Sequence, residues 1–296
     1  MKALLLSGWI FIVYAAWGQV RPFPSVDRGL LWKISGRGIS EDCYVFGTMH
    51  VMDEEDFLFP RQLDSIIRQA DRVVMELGEM PDPFKTLQLL TLKEGSFFDY
   101  FTKKETSELI KWAKQTLHLE EASFRSLVDH LKPFAVVQMI TQLAFQGNIA
   151  SYELTIERIV NEENRTCLGL ETVEEQIGFF DQLSNDAQKL MVLDAIANNN
   201  ELKEEMDTLQ TLYLRENIDS LYMHIQEQEA TGSFPQEIFL DQRNTKWIEI
   251  LRPLLQSNQG VFIAVGAGHL GGPKGILRKI EELGYTMTPI QLQSFR

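Results

Sequence analysis

Apolar residues fall into short, dense runs near the two ends of the chain and into patterns spaced by three and four in between. Leu30 to Ser35 and Cys43 to Thr48 are compact apolar segments separated by Gly36-Arg37-Gly38, with Glu41 and Asp42 in the same connection. This pattern predicts a strand, a turn-rich loop and a second strand. Pro60 opens a helix whose buried face is Leu63, Ile66, Ile67 and Ala70, and Arg72 to Leu77 follows it as a β-branched strand. Strand, helix and strand in this order make a crossover unit, which points to a parallel or mixed sheet.

From about 81 to 240 the pattern turns helical. Helices are predicted over Glu105 to Leu117 and Lys132 to Phe145, the latter with Pro133 in its first turn. Another follows Ser151, with Leu154, Ile156, Ile159 and Val160 as its apolar positions. A strand over Arg165 to Leu170 leads into the polar helix opening Glu171 to Gln176, and long helices occupy 184 to 228, broken near Asn198-Asn199-Asn200. The C-terminal part returns to strand, helix and strand: Gly260 to Gly266, an amphipathic stretch through Ile276, Leu277, Ile280 and Leu283, and Tyr285 to Ile290. The expected class is α/β, a mixed sheet built from both ends and covered by helices, with the middle as an insertion or cap. No Gly/Ser-rich or Pro-rich linker divides residues 19 to 296, so a single domain is expected. Two domains divided near 81 and 241 would leave each sheet fragment small.

Composition narrows the function classes. A chain of 296 residues with 44% hydrophobic residues and 18 Phe can bury a large core. Its 42 acidic residues outnumber 28 Lys and Arg, for a net charge of -14. That balance argues against nucleic acid as a partner, because phosphate binding needs an excess of basic side chains. Lys2 before the apolar run ALLLSGWIFIVYAAW, with Ala16 and Gly18 ahead of Gln19, reads as a signal peptide over residues 1 to 18. The expected location is periplasmic or extracellular, with no stable membrane insertion after cleavage. Export permits a disulfide between Cys43 and Cys167, but both lie in apolar runs where buried thiols are ordinary, and both readings stand.

Two short motifs carry the candidate chemistry. Gly47-Thr48-Met49-His50 and Gly266-Ala267-Gly268-His269 each place a histidine just past a predicted strand, in a chain with only five histidines. Loops at the carboxyl ends of sheet strands line the usual ligand crevice of open α/β folds. Glu76 closes a third strand among buried neighbours, where a carboxylate must be paired, hydrogen-bonded or metal-bound. Two imidazoles and a carboxylate suit a divalent ion with an open water position. A salt bridge from Glu76 to a nearby arginine accounts for it equally well.

Together GTMH at 47 to 50, VVMELG at 73 to 78, GLET followed by Gln176, the Arg243-Asn244 pair and FIAVGAGHLGGPKG at 262 to 275 resemble the TraB/GumN family, including its Tiki-like metalloproteases. The resemblance implies an erythromycin-esterase-like, ChaN-like architecture and peptide hydrolysis by a divalent metal such as Zn, Mn or Co. It implies His50, Glu76 and His269 as metal ligands and Arg243 as a catalytic partner that orients an acid or stabilises an oxyanion. Which acid touches the metal stays open, since Glu76, Glu153 and Glu171 each fit a ligand, a general base or a supporting group. Asn244 is implied as a supporting hydrogen-bond partner, with a salt bridge and helix cap beside the insertion as the alternative for Arg243 and Asn244. A peptide or protein is implied as substrate. The His-Glu-x-x-His protease signature is absent, and the glycine-rich segment at 266 to 275 lacks both P-loop and dinucleotide spacing. A metal-dependent hydrolase is therefore the leading expectation. The alternatives are a metal or haem-related binding protein, or a noncatalytic interaction protein on the same scaffold.

Overall fold

The computed structural model describes residues 29–79, 81–143, 148–198, 202–229 and 237–292. The signal-peptide expectation for residues 1 to 18 lies outside them. The strands are β1 (Leu31–Ser35), β2 (Cys43–Thr48), β3 (Met52–Asp53), β4 (Arg72–Leu77), β5 (Ile149–Ala150), β6 (Leu168–Glu171), β7 (Val261–Gly266) and β8 (Thr286–Ile290). Six of them form a mixed sheet in the order β6-β4-β7-β2-β1-β8, while β3 and β5 pair as a separate short ribbon. The central pairs β2·β7, β4·β7 and β4·β6 are parallel, and β1 runs antiparallel to both β2 and β8.

Parallel central strands have helices over both faces, so they are apolar on both sides rather than alternating. Thus β7 reads VFIAVG with five consecutive buried residues, and β2 and β4 each contain four. Most of the covering helices, from Pro83–Leu90 to Gln242–Leu255, arise between β4 and β7, forming a large helical insertion in the sheet connectivity. Local signals start them. Thr172 accepts from Glu175 N while the Glu175 carboxylate accepts from Thr172 N, a capping box that opens the helix Val173–Asp181. Ser151 caps the helix Tyr152–Glu162 by accepting from Leu154 N, as its position predicts.

Several boundaries differ from the sequence reading for physical reasons. Strand β6 begins at Leu168 rather than Arg165, because the Arg165 guanidinium donates to the carbonyls of Ile67 and Ala70 at the end of the first helix. The 105 to 117 helix is α-helical only over Lys103–Trp112. It then widens into a π turn and stops where His118 takes a left-handed φ of 57°. In the 184 to 228 stretch, the helices Asn185–Ala197, Leu202–Leu214 and Ile218–Glu229 have a second break near Glu216, at φ 53°. Leu154, expected in the core, is 52% exposed. Cys43 and Cys167 are both free thiols, which removes the disulfide reading.

Among the described residues no helix is long and apolar enough to cross a membrane.

Candidate functional site

Because β2, β4, β6 and β7 are parallel, their carboxyl ends open on one edge of the sheet. The register sets Leu77 opposite Glu171 and Thr48 opposite Gly266. Glu171, Glu76, the Gly266 to His269 turn and His50 therefore follow one another along a single rim, as the motifs predict. A methyl group built on Gly266 would lie 3.2 Å from Glu76 Oε1 and 3.7 Å from both His50 Nε2 and His269 Cδ2. Three side chains thus reach one patch of backbone, where an added methyl would press most closely on the Glu76 carboxylate.

Arg243, from the helix Gln242–Leu255, lies within this cluster and is buried. Its Nε and Nη2 donate to Glu171 at 3.1 and 2.6 Å, and Nη2 also donates to Glu76 Oε2 at 2.5 Å. Nη1 donates to the Phe239 carbonyl and to His269 Nε2, each at 3.1 Å. All five guanidinium hydrogens thereby have acceptors, the arrangement a buried arginine requires. The Trp247 ring packs 4.7 Å beneath the guanidinium carbon.

This geometry fixes the state of His269. A guanidinium only donates, so His269 Nε2 bears the lone pair and Nδ1 carries the hydrogen, donated to Asn244 Oδ1 at 2.7 Å. The Asn244 amide group donates in turn to the carbonyls of Lys274 and His269, which leaves its oxygen as the acceptor. Burial and the adjacent Arg243 charge push the His269 pKa down to about 3, so the ring is neutral. Glu76 also accepts from Gly266 N at 2.8 Å. Burial, the largest single influence, would raise its pKa, but Arg243 together with the two histidines and the Gly266 N–H outweighs it and holds the carboxylate well below its ordinary range. At Glu171 burial prevails, and the pKa is raised despite the arginine.

His50 has a different partner. Its Nδ1 lies 2.9 Å from Glu153 Oε1, which also accepts from Thr48 Oγ1 at 2.5 Å, while Ser151 Oγ donates to Glu153 Oε2 at 3.0 Å. Burial disfavours the imidazolium, but the carboxylate beside it favours the charged form by more, and the His50 pKa rises to about 9. His50 is therefore a cation at neutral pH. Glu153 is correspondingly lowered: burial works against its charge, and His50 with its hydrogen bond outweighs burial.

These contacts overturn the metal-centred expectation. Among the described residues, no group of three or more His, Cys, Asp or Glu side chains is arranged to hold a metal ion. The reason lies in the donor set. Glu76 Oε2 and the His269 lone pair are aimed at Arg243, and His50 is turned toward Glu153. A guanidinium takes the position in which Zn, Mn or Co was expected. The metal-dependent hydrolase and metalloprotease assignments therefore fail with the cofactor. Of the two explanations for Glu76, the salt bridge to an arginine is the one found.

Beside the rim lies a cavity of about 470 Å³. His50, Glu76, Glu153 and Arg243 face it from one side, and Phe134, Phe179, Phe180 and Phe239 supply an aromatic wall. Phe134 and Phe180 are stacked, with ring centroids 3.4 Å apart, and Phe239 sits 4.9 Å from Phe180. Thr48, Ser151 and the phenylalanines were missed in the sequence as site residues. The capping box at Thr172 was the available signal for the aromatic pair, since it fixes the helix on which Phe179 and Phe180 stand.

A model of the family described as TraB/PrgY/gumN matches residues 30–289. No curated protein and no solved structure matches the chain.

Proposed function

We propose that this chain, which belongs to the TraB/PrgY/gumN family, is a noncatalytic binding protein that holds a peptide or protein segment in the strand-end cavity. One observation carries this reading. The cavity has a drug-sized volume and an aromatic wall, while the motif residues expected to act as bases beside it are already engaged. His50 holds its proton, the His269 lone pair accepts from Arg243, and Glu76 is paired with the same arginine. Such a site orients and retains a ligand, and none of these three groups is poised to activate water near neutral pH. The Arg243 network shapes the floor, and His50 with Glu153 forms a fixed ion pair at its edge.

The Tiki-like motifs are compatible with this role, since GTMH and GAGH build the two turns from which the floor is made. We further propose the erythromycin-esterase-like, ChaN-like architecture for the fold, one domain over residues 19 to 296, and export after removal of residues 1 to 18. A mature chain beginning at Gln19, read by intact mass from native material, tests the last of these.

The test of function is an unbiased peptide mixture passed over the immobilised full chain, with equimolar Zn, Mn or Co and with chelator. The expected result is that a subset of peptides is retained at full length, equally with and without metal, and that Leu154→Trp at the cavity mouth abolishes retention. Metal-dependent shortening of the peptides would overturn the proposal, and so would a flow-through identical to the input.

A further inference from the structure

The short ribbon of β3 and β5 leaves one edge unused. Its register sets Met52 opposite Ala150 and Asp53 opposite Ile149, and Glu54 N donates to the Asn148 carbonyl at 3.0 Å. Residues opposite one another in an antiparallel pair alternate between exchanging both main-chain bonds and exchanging none. The bond at Asn148 fixes the phase. Met52 and Ala150 exchange bonds, while Asp53 and Ile149 turn theirs outward. Asp53 agrees, since its N–H donates to Gln210 Oε1 at 3.0 Å instead of to β5. On β5 the outward groups are the N–H and carbonyl of Ile149, followed by the N–H of Ser151, whose backbone is still extended. None of the three has a hydrogen-bond partner among the described residues.

This edge faces the cavity. Successive side chains of a strand point to opposite faces, so a cavity lying over one face would be lined by alternate residues. Ile149, Ala150 and Ser151 line it in succession, which places the cavity alongside the strand. The edge is also unguarded. Proteins protect open strand edges with proline or charged side chains. Pro289 stands in β8, at one border of the main sheet, whereas residues 148 to 151 contain neither kind.

A free donor and acceptor on one extended residue are matched by the main chain of another extended segment. Exposed Ile149 and Leu154, with the phenylalanine wall, offer apolar surface to its side chains. A cavity of about 470 Å³ admits one such segment and excludes the sheet of a folded second copy.

We propose that a peptide segment binds in extended form as a third strand of this ribbon. One of its N–H groups donates to the Ile149 carbonyl, one of its carbonyls accepts from the Ile149 N–H, and an apolar side chain lies on the phenylalanine wall. This rests on reading the cavity as a peptide-binding site. It makes the main chain, which every peptide carries, the principal element recognised, and leaves selection to the wall.

Titration calorimetry on the full chain tests the pairing with the neutral peptide acetyl-Thr-Val-Phe-Val-Thr-amide and with analogues in which each backbone N–H in turn is replaced by an ester oxygen. The expected result is that the parent binds, that replacement at one position weakens binding about tenfold, and that replacements on either side of it change binding less than about twofold. Ile149→Pro, which removes the outward N–H and no bond to β3, should bind the parent about tenfold more weakly than Ile149→Ala, which loses the side chain but keeps the N–H. Amide hydrogen exchange on the unaltered chain supplies a readout independent of any variant's folding. The peptide should slow exchange at Ile149 and leave Ala150, already paired with Met52, unchanged. Equal affinity across the ester series, or unaltered exchange at Ile149, overturns the strand pairing while leaving the cavity a binding site. Protection of Ile149 that grows with protein concentration in the absence of peptide gives the edge to a second copy and overturns the proposal too. Failure of the parent peptide and of its Leu and Ala analogues at the central position to bind removes both readings.

Discussion

At the residue scale, two histidines in matching sequence contexts are held in opposite protonation states. His50 is 35% exposed and faces a carboxylate, whereas buried His269 faces a guanidinium. Proton NMR should show His50 titrating near pH 9, and His269 should stay neutral down to about pH 3. The linkage signs follow. The raised His50 pKa contributes stability that is fully present below the unfolded value of 6.5 and is lost as pH rises through 9. The depressed His269 pKa makes stability fall as pH drops below 6.5, because the unfolded chain then takes up a proton the folded ring refuses. Urea midpoints should therefore decline on both sides of about pH 6.5, and His50→Gln should flatten only the alkaline side. Arg243→Met leaves Glu76 and Glu171 buried without their cation and should cost about 3 to 5 kcal/mol in the same assay. The convergence of His50, Glu76 and His269 was legible from two Gly-x-x-His turns. The cation they surround was not, because Arg243 lies 167 positions from Glu76 and nothing local to either reports their contact.

At the scale of single elements, the site depends on how well each helix is anchored where it meets the rim. The helix Val173–Asp181 contributes Gln176, Phe179 and Phe180 to the cavity, and its first turn is fixed by the Thr172 and Glu175 exchange. Thr172→Ala should destabilise the protein by about 1 kcal/mol in urea unfolding. It should weaken cavity ligands as well, a combined effect not expected from Thr102→Ala, which removes the equivalent cap from a helix remote in sequence. Dense apolar runs and caps made β2, β4, β7 and the Ser151 start readable. Where the outcome depended on a distant partner, as with Arg165 and the start of β6, the local pattern placed the boundary three residues early. Leu154 was misplaced for a related reason: its spacing fits the apolar face of its helix, yet the cavity opens beside it.

For the molecule as a whole, the mixed sheet unites both ends of the pattern around a helical insertion, and the strand order places a late strand at its centre. β7 lies between β2 and β4, which are near neighbours in sequence but do not pair with each other. Chains truncated before Val261 should therefore lack the central pairing, and limited proteolysis should cut them within the first two hundred residues, where the full-length chain resists. The same order has a consequence during synthesis. As the polypeptide leaves the ribosome, β2 and β4 emerge with their inner edges unsatisfied and wait for nearly two hundred further residues before their common neighbour arrives. Unpaired strand edges of this kind are prone to mispairing with other chains. The nascent protein thus has a long window of vulnerability to self-association, which closes only when the segment carrying the second Gly-x-x-His turn joins the sheet.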